Sequence, residues 1–344
     1  MQDRRPVKGG GRKIIHIYDN IISFENLLTS WQEFLRGKRK RKDVAIFQLH
    51  FMDNILLLHQ ELRNETYHHG GYKAFKINDP KPRDIHKASV HDRLVHHAIY
   101  RKIYPFFDRL FIYDSYSCRI KKGTHRAVNR FQYFSSKVSK NNTKTCWVLK
   151  CDIKKFFANI DHKIFNNILA KYIKDENTLG LLSQIIDSFN MQDKIGVGLP
   201  LGNLTSQLFV NIYMNEFDQF MKRELKVKFY IRYADDFVIF SRDKIFLEKL
   251  VLEIAEFLEK HLKLQLHPDK LSIETISSGI DFLGWVIFPK HIILRTKTKK
   301  RMFHRLGKNS NSQRLASYLG LLSHGNTFGL SNKILGDYKS EHKD

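Results

Sequence analysis

The sequence has few cysteines and no long apolar run. Its three cysteines, Cys118, Cys146 and Cys151, are odd in number and lack the Cys-x-x-Cys or Cys/His spacing of zinc sites. That usage fits a reducing cytosol rather than a disulfide framework. No apolar stretch approaches the roughly 20 residues that a membrane-spanning helix needs, and the first residues, MQDRRPVKGGGRK, contain no signal-peptide core. The sequence therefore predicts a cytoplasmic protein with no membrane partner.

Acidic residues are also scarce relative to basic ones. The 344 residues include 59 Lys+Arg against 35 Asp+Glu, which gives a formal net charge of +24. Such a positive field attracts polyanions, and without apolar runs nucleic acid is a better partner than a membrane surface. Phenylalanine is abundant, at 26 residues, so the chain can bury a core, and its length predicts two or three subdomains.

Two adjacent acids interrupt an apolar segment, FYIRYADDFVIFS, at residues 229–241. Apolar and polar residues alternate before Asp235 and Asp236 and an apolar run follows them, which predicts strand, tight turn and strand. Neighbouring carboxylates repel each other, and a bound divalent cation removes most of that cost. An isolated Asp-Asp pair is usually a solvated turn, so the rest of the chain has to support a metal site.

A second carboxylate supplies that support. The segment CWVLKCD has the pattern of a buried strand that ends at Asp152. If this strand lies beside the acidic hairpin, three carboxylates meet at one end of a sheet and can hold two cations. Paired cations are a common device for displacement at phosphorus: one activates an attacking hydroxyl and the other neutralises the leaving group. Oxygen-only ligands favour Mg²⁺, with Mn²⁺ as a possible substitute.

Several helices are predicted around these strands. One helix should run from about Phe24 to Leu35, and another over 162–173 with Asp161 as its N-cap. A loop from Gly196 to Gly202 precedes a long helix that Asn203 can cap. Three histidines in a predicted amphipathic helix have no cysteine or acidic cluster beside them to complete a zinc site. These histidines are His91, His96 and His97.

Together, three motifs resemble a known family. The Asp-x-x-x-Phe-Phe strand end at Asp152, the loop and helix GLPLGNLTSQLFVNIY, and YADD in a hairpin are similar to palm motifs A, B and C of reverse transcriptases. HPDKL (267–271) resembles the later palm lysine motif, and FLGWVIF (282–288) resembles the primer-grip hairpin. The segment LGNLTSQ (201–207) is most similar to the corresponding segment in the reverse transcriptases of diversity-generating retroelements, a bacterial and phage group of the group II intron-like lineage.

The resemblance implies an α+β right-hand polymerase fold, with fingers, a palm whose antiparallel sheet packs on helices, and a small helical thumb. It implies RNA-directed DNA synthesis in which a template-repeat RNA is copied into cDNA with errors chiefly opposite adenines. The implied boundaries are an N-terminal helical extension at 1–44, fingers at 45–146, a palm at 147–290 with a return to the fingers around 175–200, and a thumb at 291–344.

The resemblance also assigns roles to individual residues. Asp152, Asp235 and Asp236 would be the catalytic metal ligands, helped by the Ile153 carbonyl. Phe157, or Phe156 in its place, would exclude the 2′-hydroxyl of a ribonucleotide and so select dNTPs. The remaining implied dNTP contacts are Gly202, Arg83, Arg93 and Lys270, and the implied nucleic-acid contacts are Lys297, Lys299, Lys300 and Arg301.

Leu201 and Gln207 depart from the wider family, which carries Gln and Pro at these positions. Leucine cannot donate a hydrogen bond to the nascent base pair, so discrimination between right and wrong pairs should fall. The implied partners are template RNA, cDNA or primer, dNTPs and a small basic accessory protein oligomer.

Three alternatives stay open. The first is a group II intron-type or other bacterial reverse transcriptase. The second is a template-independent, protein-primed or abortive-infection-type polymerase. The third is an RNA-binding or scaffold protein with a silent site, which the intact Asp152, Asp235 and Asp236 speak against.

Overall fold

The computed structural model describes residues 13–78, 82–191, 194–308 and 311–341. The start of the predicted extension at 1–44, which includes most of the MQDRRPVKGGGRK segment, lies outside the described residues. Within the ranges given, no helix is both long enough and apolar enough to cross a membrane.

Helices and antiparallel sheets make up the chain, which confirms the predicted α+β class. The helices are α1 (Tyr18–Ile22), α2 (Phe24–Phe34), α3 (Lys42–Leu49), α4 (Phe51–Arg63), α5 (Val90–Leu110), α6 (Thr124–Val138), α7 (His162–Tyr172), α8 (Glu176–Asp187), α9 (Leu204–Gln219), α10 (Lys244–Leu262), α11 (Thr296–Lys308), α12 (Ser312–Leu322) and α13 (Phe328–Glu341). The strands are β1 (Lys73–Ile77), β2 (Arg83–Lys87), β3 (Trp147–Cys151), β4 (Tyr230–Tyr233), β5 (Asp236–Ser241), β6 (Ser272–Thr275), β7 (Ile280–Phe282), β8 (Trp285–Ile287) and β9 (Ile292–Leu294).

The chain divides into two compact units, each built from separate stretches of sequence. Unit one contains the described residues up to Tyr113 together with Ile153–Lys226 and Ala255–Leu266. Unit two contains Asp114–Asp152, Val227–Ile254 and the described residues from His267 onward. The predicted boundaries of fingers, palm and thumb do not coincide with the boundaries of these two units, and they remain a prediction.

Unit one is mainly helical, and α5 lies at its centre. The Ser89 hydroxyl caps α5 by accepting a hydrogen bond from the Asp92 amide, and α1, α2, α3 and α9 pack on this helix. Asp161 caps α7 by accepting from the Ile164 amide at 2.9 Å, as predicted. The Phe165 ring of α7 then packs 5.1 Å from the Phe209 ring of α9, between ring centroids. This packing fixes the start of α9 and the loop before it.

A two-stranded hairpin, β1–β2, belongs to unit one. Its antiparallel register pairs Ala74 with His86 and Ile77 with Arg83. All of β1 is exposed, whereas β2 becomes half-buried toward its end at Lys87. The C-terminal end of β2, at Lys87, is therefore the part of the hairpin that contacts the rest of unit one.

Unit two is organised around a four-stranded antiparallel sheet with the strand order β4-β5-β3-β6. The register places Cys151 of β3 opposite Phe237 of β5, and Tyr233 of β4 opposite Asp236. Helix α6 packs on β4 and β5, where the Phe131 ring lies 4.7 Å from the Phe240 ring, between centroids. Since β3 and β5 are central and buried, the residues at their ends are held rigidly.

The predicted hairpin at 282–288 is present in unit two. Phe282 of β7 pairs with Trp285 of β8, and Leu283 and Gly284 form the turn with positive φ angles of 51° and 89°. Both central residues of a twisted two-residue turn adopt such angles. Apolar residues of β7–β9 and α11–α13 share one buried core with α6 and the central strands.

Two polar side chains have surroundings that local patterns do not show. Arg232 is the charged residue of the alternating segment FYIRY, yet its side chain is fully buried, as are Tyr230 and Ile231. Asn203 occupies the N-cap position of α9, yet its side chain makes no capping hydrogen bond. The Arg232 guanidinium bonds the Ser115 hydroxyl and the Asn203 amide bonds the His86 carbonyl, each 117 residues away in the sequence, and local patterns do not reveal such partners.

Candidate active site

Unit two brings the three predicted carboxylates together. Asp152 directly follows β3, and Asp236 begins β5, so continuing the Cys151–Phe237 register places these two residues opposite each other. Asp235 lies in the turn between β4 and β5, next to Ala234, whose φ is +56°. We call the side chains of Asp152, Asp235 and Asp236 the carboxylate cluster.

The electrostatics of the carboxylate cluster follow from its burial. The pKa of Asp236 is raised to about 7, first because burial removes the carboxyl group from water, and then because Asp235 and Asp152 are negatively charged. A hydrogen bond with the Asp152 side chain also favours the protonated form, and the Lys150 ammonium partly opposes these effects. Burial and the two neighbouring carboxylates therefore favour the uncharged form of the Asp236 side chain.

Lys270 provides one compensating charge. Its ammonium donates to Asp152 Oδ1 at 2.7 Å, while the backbone around it is fixed by a bond from the His267 amide to the Asp152 carbonyl at 2.8 Å. The Asp152 side chain is 10% exposed and the Lys270 side chain 39%. Lys270 was predicted to lie near the leaving pyrophosphate; here its partner is a carboxylate of the cluster.

A buried arginine that the sequence reading missed supports the acidic turn. Arg232 donates to the Ala234 carbonyl at 3.0 Å and to the Ser115 hydroxyl at 3.1 Å. Its own amide donates to the Asp114 carbonyl at 3.0 Å. Buried charge is costly unless it is hydrogen-bonded, so these bonds fix Arg232 and, through Ala234, the turn that carries Asp235. No local pattern signals this burial, because the segment FYIRY alternates like a half-exposed strand.

The donor chemistry of the cluster fits a hard divalent cation. Its ligands are carboxylate oxygens, and their mutual repulsion is what a divalent cation would relieve. Across the described ranges, no group of three or more His, Cys, Asp or Glu side chains is already arranged to hold a metal ion. In the structure Lys270 and the Asp152–Asp236 hydrogen bond offset the charge, so a cation would compete with them. Ile153, whose carbonyl was predicted as a further ligand, follows Asp152 in the chain and belongs to unit one.

Phe156 and Phe157, the two residues predicted to exclude a 2′-hydroxyl, differ in burial within unit one. Phe156 is buried, with 3% of its surface exposed, whereas Phe157 is half-buried. The Phe157 carbonyl accepts a hydrogen bond from the Leu199 amide at 2.8 Å. Phe156 thus has the burial of a core residue, and Phe157 is the one that remains available to a ligand and is tied to the loop before α9.

The same loop lies against β2. The His86 amide donates to the Leu201 carbonyl at 2.9 Å. Gly202 has a φ of +110°, and a Cβ added there would lie 2.7 Å from Ile85 Cγ2. Only glycine permits both this backbone angle and this close approach. The predicted residues Phe157, Leu201 and Gly202 are therefore brought to one region of unit one, together with the end of β2.

The two candidate arginines differ in their surroundings. Arg93 donates to Asp43 Oδ2 at 2.5 Å and to the Ser89 carbonyl at 3.2 Å, so its guanidinium has a structural role within unit one. Arg83 begins β2 and is exposed. Its predicted contact with triphosphate or template stays a prediction, as does that of Arg93.

The remaining predicted residues lie on helices. Gln207 is exposed in the first turn of α9. On α11 of unit two, Lys297, Lys299 and Lys300 are exposed and Arg301 is half-buried. Of the three histidines that lack the partners of a zinc site, His96 is buried and His97 is half-buried, and burial lowers the pKa of His96 to about 3 and that of His97 to about 4. His91 lies 3.1 Å from Glu61, between Nε2 and Oε2.

Comparison with known proteins places this geometry in context. Residues 73–287, more than half of the chain, match the family model described as reverse transcriptase (RNA-dependent DNA polymerase). Protein YkfC of Escherichia coli K12 is 26% identical over 284 residues, which cover 70% of this chain and 72% of that protein.

Intron-encoded proteins are also similar. The group II intron-encoded protein LtrA of Lactococcus lactis is 25% identical over 177 residues, 49% of this chain and 28% of that protein. The putative COX1/OXI3 intron 2 protein of Saccharomyces cerevisiae is 19% identical over 313 residues, 74% of this chain and 34% of that protein. The chain thus spans about a third or less of the length of these two relatives.

A solved structure supports the fold. Telomerase from Candida albicans, in complex with a fragment of telomeric RNA, aligns with a TM-score of 0.52 at 12% identity, over 79% of this chain and 54% of that one. At this identity the likeness concerns the fold alone, and it confirms the predicted right-hand polymerase fold.

Proposed function

This chain belongs to the reverse transcriptase (RNA-dependent DNA polymerase) family, and from that membership we propose that it makes error-prone cDNA for a diversity-generating retroelement. Its substrates are a template-repeat RNA, a primer or cDNA end, and dNTPs. The observation that carries the polymerase assignment is the carboxylate cluster: Asp152 and the adjacent pair Asp235 and Asp236, from two distant parts of the sequence, meet at the end of one buried sheet in unit two.

Asp152 and Asp235 are the proposed principal metal ligands, with Asp236 and the Ile153 carbonyl as further ligands. Members of this family use divalent cations, and Mg²⁺ suits oxygen ligands. Two such ions would supply activation of the primer 3′-hydroxyl and neutralisation of the leaving pyrophosphate. The raised pKa of Asp236 supports this assignment because crowded, buried carboxylates mark sites that bind cations or protons.

Substrate selection is assigned to unit one. Phe157 is proposed as the residue that excludes the 2′-hydroxyl, and its half-buried ring supports it over Phe156, which is buried. Leu201 is proposed to lower fidelity because it presents a methyl group where an amide could hydrogen-bond the nascent pair. Gln207, Arg83 and Arg93 remain proposed contributors to dNTP binding and fidelity.

Nucleic-acid binding is assigned to the basic residues of helix α11. The exposed Lys297, Lys299 and Lys300 lie on α11, a helix with no acidic residue in its sequence, TKTKKRMFHRLGK. Exposed lysines on one helix suit contact with phosphates of a primer–template duplex. In the proposed domain scheme, 291–344 is the thumb, 147–290 the palm and 45–146 the fingers. A small basic accessory protein is the proposed further partner.

A group II intron-type reverse transcriptase is the second candidate. The similarity to LtrA and to the yeast intron protein favours it, while the LGNLTSQ segment favours the retroelement assignment. Gene context separates the two: template and variable repeats beside the gene belong to a diversity-generating retroelement.

The direct test is cDNA synthesis by the purified protein on the RNA encoded beside its gene, followed by sequencing of the product. Retroelement function predicts cDNA that follows the template, with substitutions concentrated opposite adenines. Faithful cDNA would support the intron-type alternative, and product that ignores the added RNA would support a template-independent polymerase.

A matched pair of variants tests the chemistry. Asp235→Asn should abolish dNTP incorporation while RNA binding persists, because a neutral amide oxygen binds a divalent cation much more weakly than a carboxylate does. Asp269→Asn is the control, since the Asp269 side chain is 88% exposed. Equal dNTP incorporation by the parent and Asp235→Asn would show that the carboxylate cluster takes no part in the reaction.

A further inference from the structure

Asn203 uses its side-chain amide to join the loop before α9 to the hairpin β1–β2. Its Nδ2 donates to the His86 carbonyl at 2.9 Å, and its Oδ1 accepts from the Ala88 amide at 3.4 Å. These partners lie 117 and 115 residues away in the sequence, and all of them belong to unit one. We call these two bonds the Asn203 clamp.

The clamp takes the place of the N-cap hydrogen bond that the position of Asn203 would allow. Asn203 has the extended backbone of an N-cap, with φ −104° and ψ 150°, but its side chain leaves the first turn of α9 uncapped. An N-cap bond contributes about 1 kcal/mol to helix stability. The side chain is also 1% exposed, so both polar atoms need partners inside the protein. His86 of β2 and Ala88, which directly follows β2, supply these partners.

Only an amide satisfies both halves of the clamp. The His86 carbonyl needs a donor and the Ala88 amide needs an acceptor, and an asparagine side chain offers one of each. Aspartate would keep the acceptor but turn a second oxygen toward the His86 carbonyl. Alanine would leave two buried backbone groups without these partners.

The clamp lies directly beside Leu201. The His86 amide donates to the Leu201 carbonyl, so His86 is held on both its amide and its carbonyl by residues 201 and 203. Gly202 between them allows the loop to approach Ile85 closely. Any movement of the end of β2 must therefore move the Leu201 backbone with it.

We propose that Asn203 is a positioning residue, which couples the β1–β2 hairpin to Leu201 and so sets where Leu201 meets the incoming nucleotide. This inference rests on the proposed function for the role of Leu201, whereas the clamp itself rests on the contacts above. Fixing the loop before substrate arrives lowers the ordering cost of dNTP binding. The coupling acts on nucleotide binding and selection rather than on the chemical step.

The clamp is tested first without activity, by hydrogen–deuterium exchange on peptides that cover residues 82–89 in Asn203→Ala and Asn203→Asp. We expect faster exchange at the Ala88 amide in Asn203→Ala, where it loses its acceptor, and at the His86 amide in both variants, because both lose the donor to the His86 carbonyl. The control is Asn215→Ala, which removes another buried amide from α9, where Asn215 Oδ1 accepts from Gln219 Nε2 at 3.1 Å. Exchange at 82–89 that is unchanged in Asn203→Ala, or equally fast in Asn215→Ala, would overturn the clamp.

The coupling is tested by steady-state kinetics of dNTP incorporation and by misincorporation ratios, at a temperature where all variants are folded. We expect KM for dNTP to rise about tenfold in Asn203→Ala, with kcat changed less than about threefold, and a changed misincorporation ratio. Parent-like KM and error ratio, despite faster exchange, would overturn the coupling. If the parent itself incorporates no dNTP, the proposed function fails, and the exchange result still decides whether the clamp exists.

Discussion

The Lys270 ammonium lies 2.7 Å from Asp152 Oδ1, although 118 residues separate the two in the sequence. The contact forms because β6, which follows Lys270, pairs with β3, which precedes Asp152. Lys270 therefore neutralises a residue proposed as a cation ligand. A divalent cation at Asp152 has to compete with a cation that the protein already supplies.

Replacing Lys270 with glutamine should make divalent cations bind more tightly. The ion pair is partly exposed, so its loss should change the affinity modestly, by about two- to fivefold. Mn²⁺ binding followed by electron paramagnetic resonance measures this without any turnover. The control is Lys263→Gln, because Lys263 forms an ion pair of the same length, 2.7 Å, with Asp161. Weaker Mn²⁺ binding in Lys270→Gln than in the parent would contradict competition.

Removing the Asp236 charge should stabilise the metal-free protein at high pH. Because its folded-state pKa of about 7 lies above the ordinary value of a carboxyl group, the folded chain keeps a proton that the unfolded chain has already released. The stability due to this group is full below about pH 4 and is lost as the pH rises toward 7. Asp236→Asn does not ionise and escapes that loss.

Urea unfolding in the presence of a chelator measures the effect. At pH 8 we expect Asp236→Asn to exceed the parent in free energy of unfolding by about 2 kcal/mol, and the gap to narrow as the pH falls toward 4. Asp269→Asn serves as the exposed control. A gap that is independent of pH would show that Asp236 is not the group whose ionisation costs stability.

Substitution of Phe157 should change nucleotide selectivity, whereas substitution of its neighbour Phe156 should change stability. Phe157→Ala should weaken the preference for dNTPs over rNTPs by about 100-fold, because the smaller side chain leaves room for the 2′-hydroxyl. Phe156→Ala should instead cost about 3 to 5 kcal/mol of stability, since its ring is buried and its removal leaves a cavity. Single-nucleotide incorporation and thermal unfolding, measured on both variants, give the comparison. Unchanged selectivity in Phe157→Ala would assign that ring to packing.

Local sequence patterns predicted the elements better than the contacts between them. Asp161 caps α7 as predicted because both the cap and its partner, Ile164, lie within four residues. Asn203 also occupies its predicted cap position, but its partners come from β2, and Arg93 is held by Asp43, 50 residues away. Such long-range partners depend on the tertiary packing.

The carboxylates themselves were predictable for a different reason. Strand patterns place Asp152 and the Asp235–Asp236 turn at strand ends, and pairing of β3 with β5 then leaves little freedom in where they meet. The burial of Arg232 was not predictable in the same way. Its strand alternates like a half-exposed one, and the bonds that let the guanidinium lie inside, to the Ala234 carbonyl and the Ser115 hydroxyl, depend on the tertiary packing.

Restoring an amide at position 201 should lower the error rate. Leu201 is half-buried and its backbone carbonyl is fixed by the His86 amide, so a glutamine there would start from a defined backbone position. A side-chain hydrogen bond that forms only with a correct pair would discriminate by about tenfold for each 1.4 kcal/mol gained. Sequencing of cDNA made by parent and Leu201→Gln on one RNA template measures the change. Ile195→Gln is the matched control, because Ile195 lies just before the same loop and is 97% exposed. Identical error spectra for Leu201→Gln and the parent would show that fidelity is set elsewhere, and a similar decrease in Ile195→Gln would show that the effect is not specific to position 201.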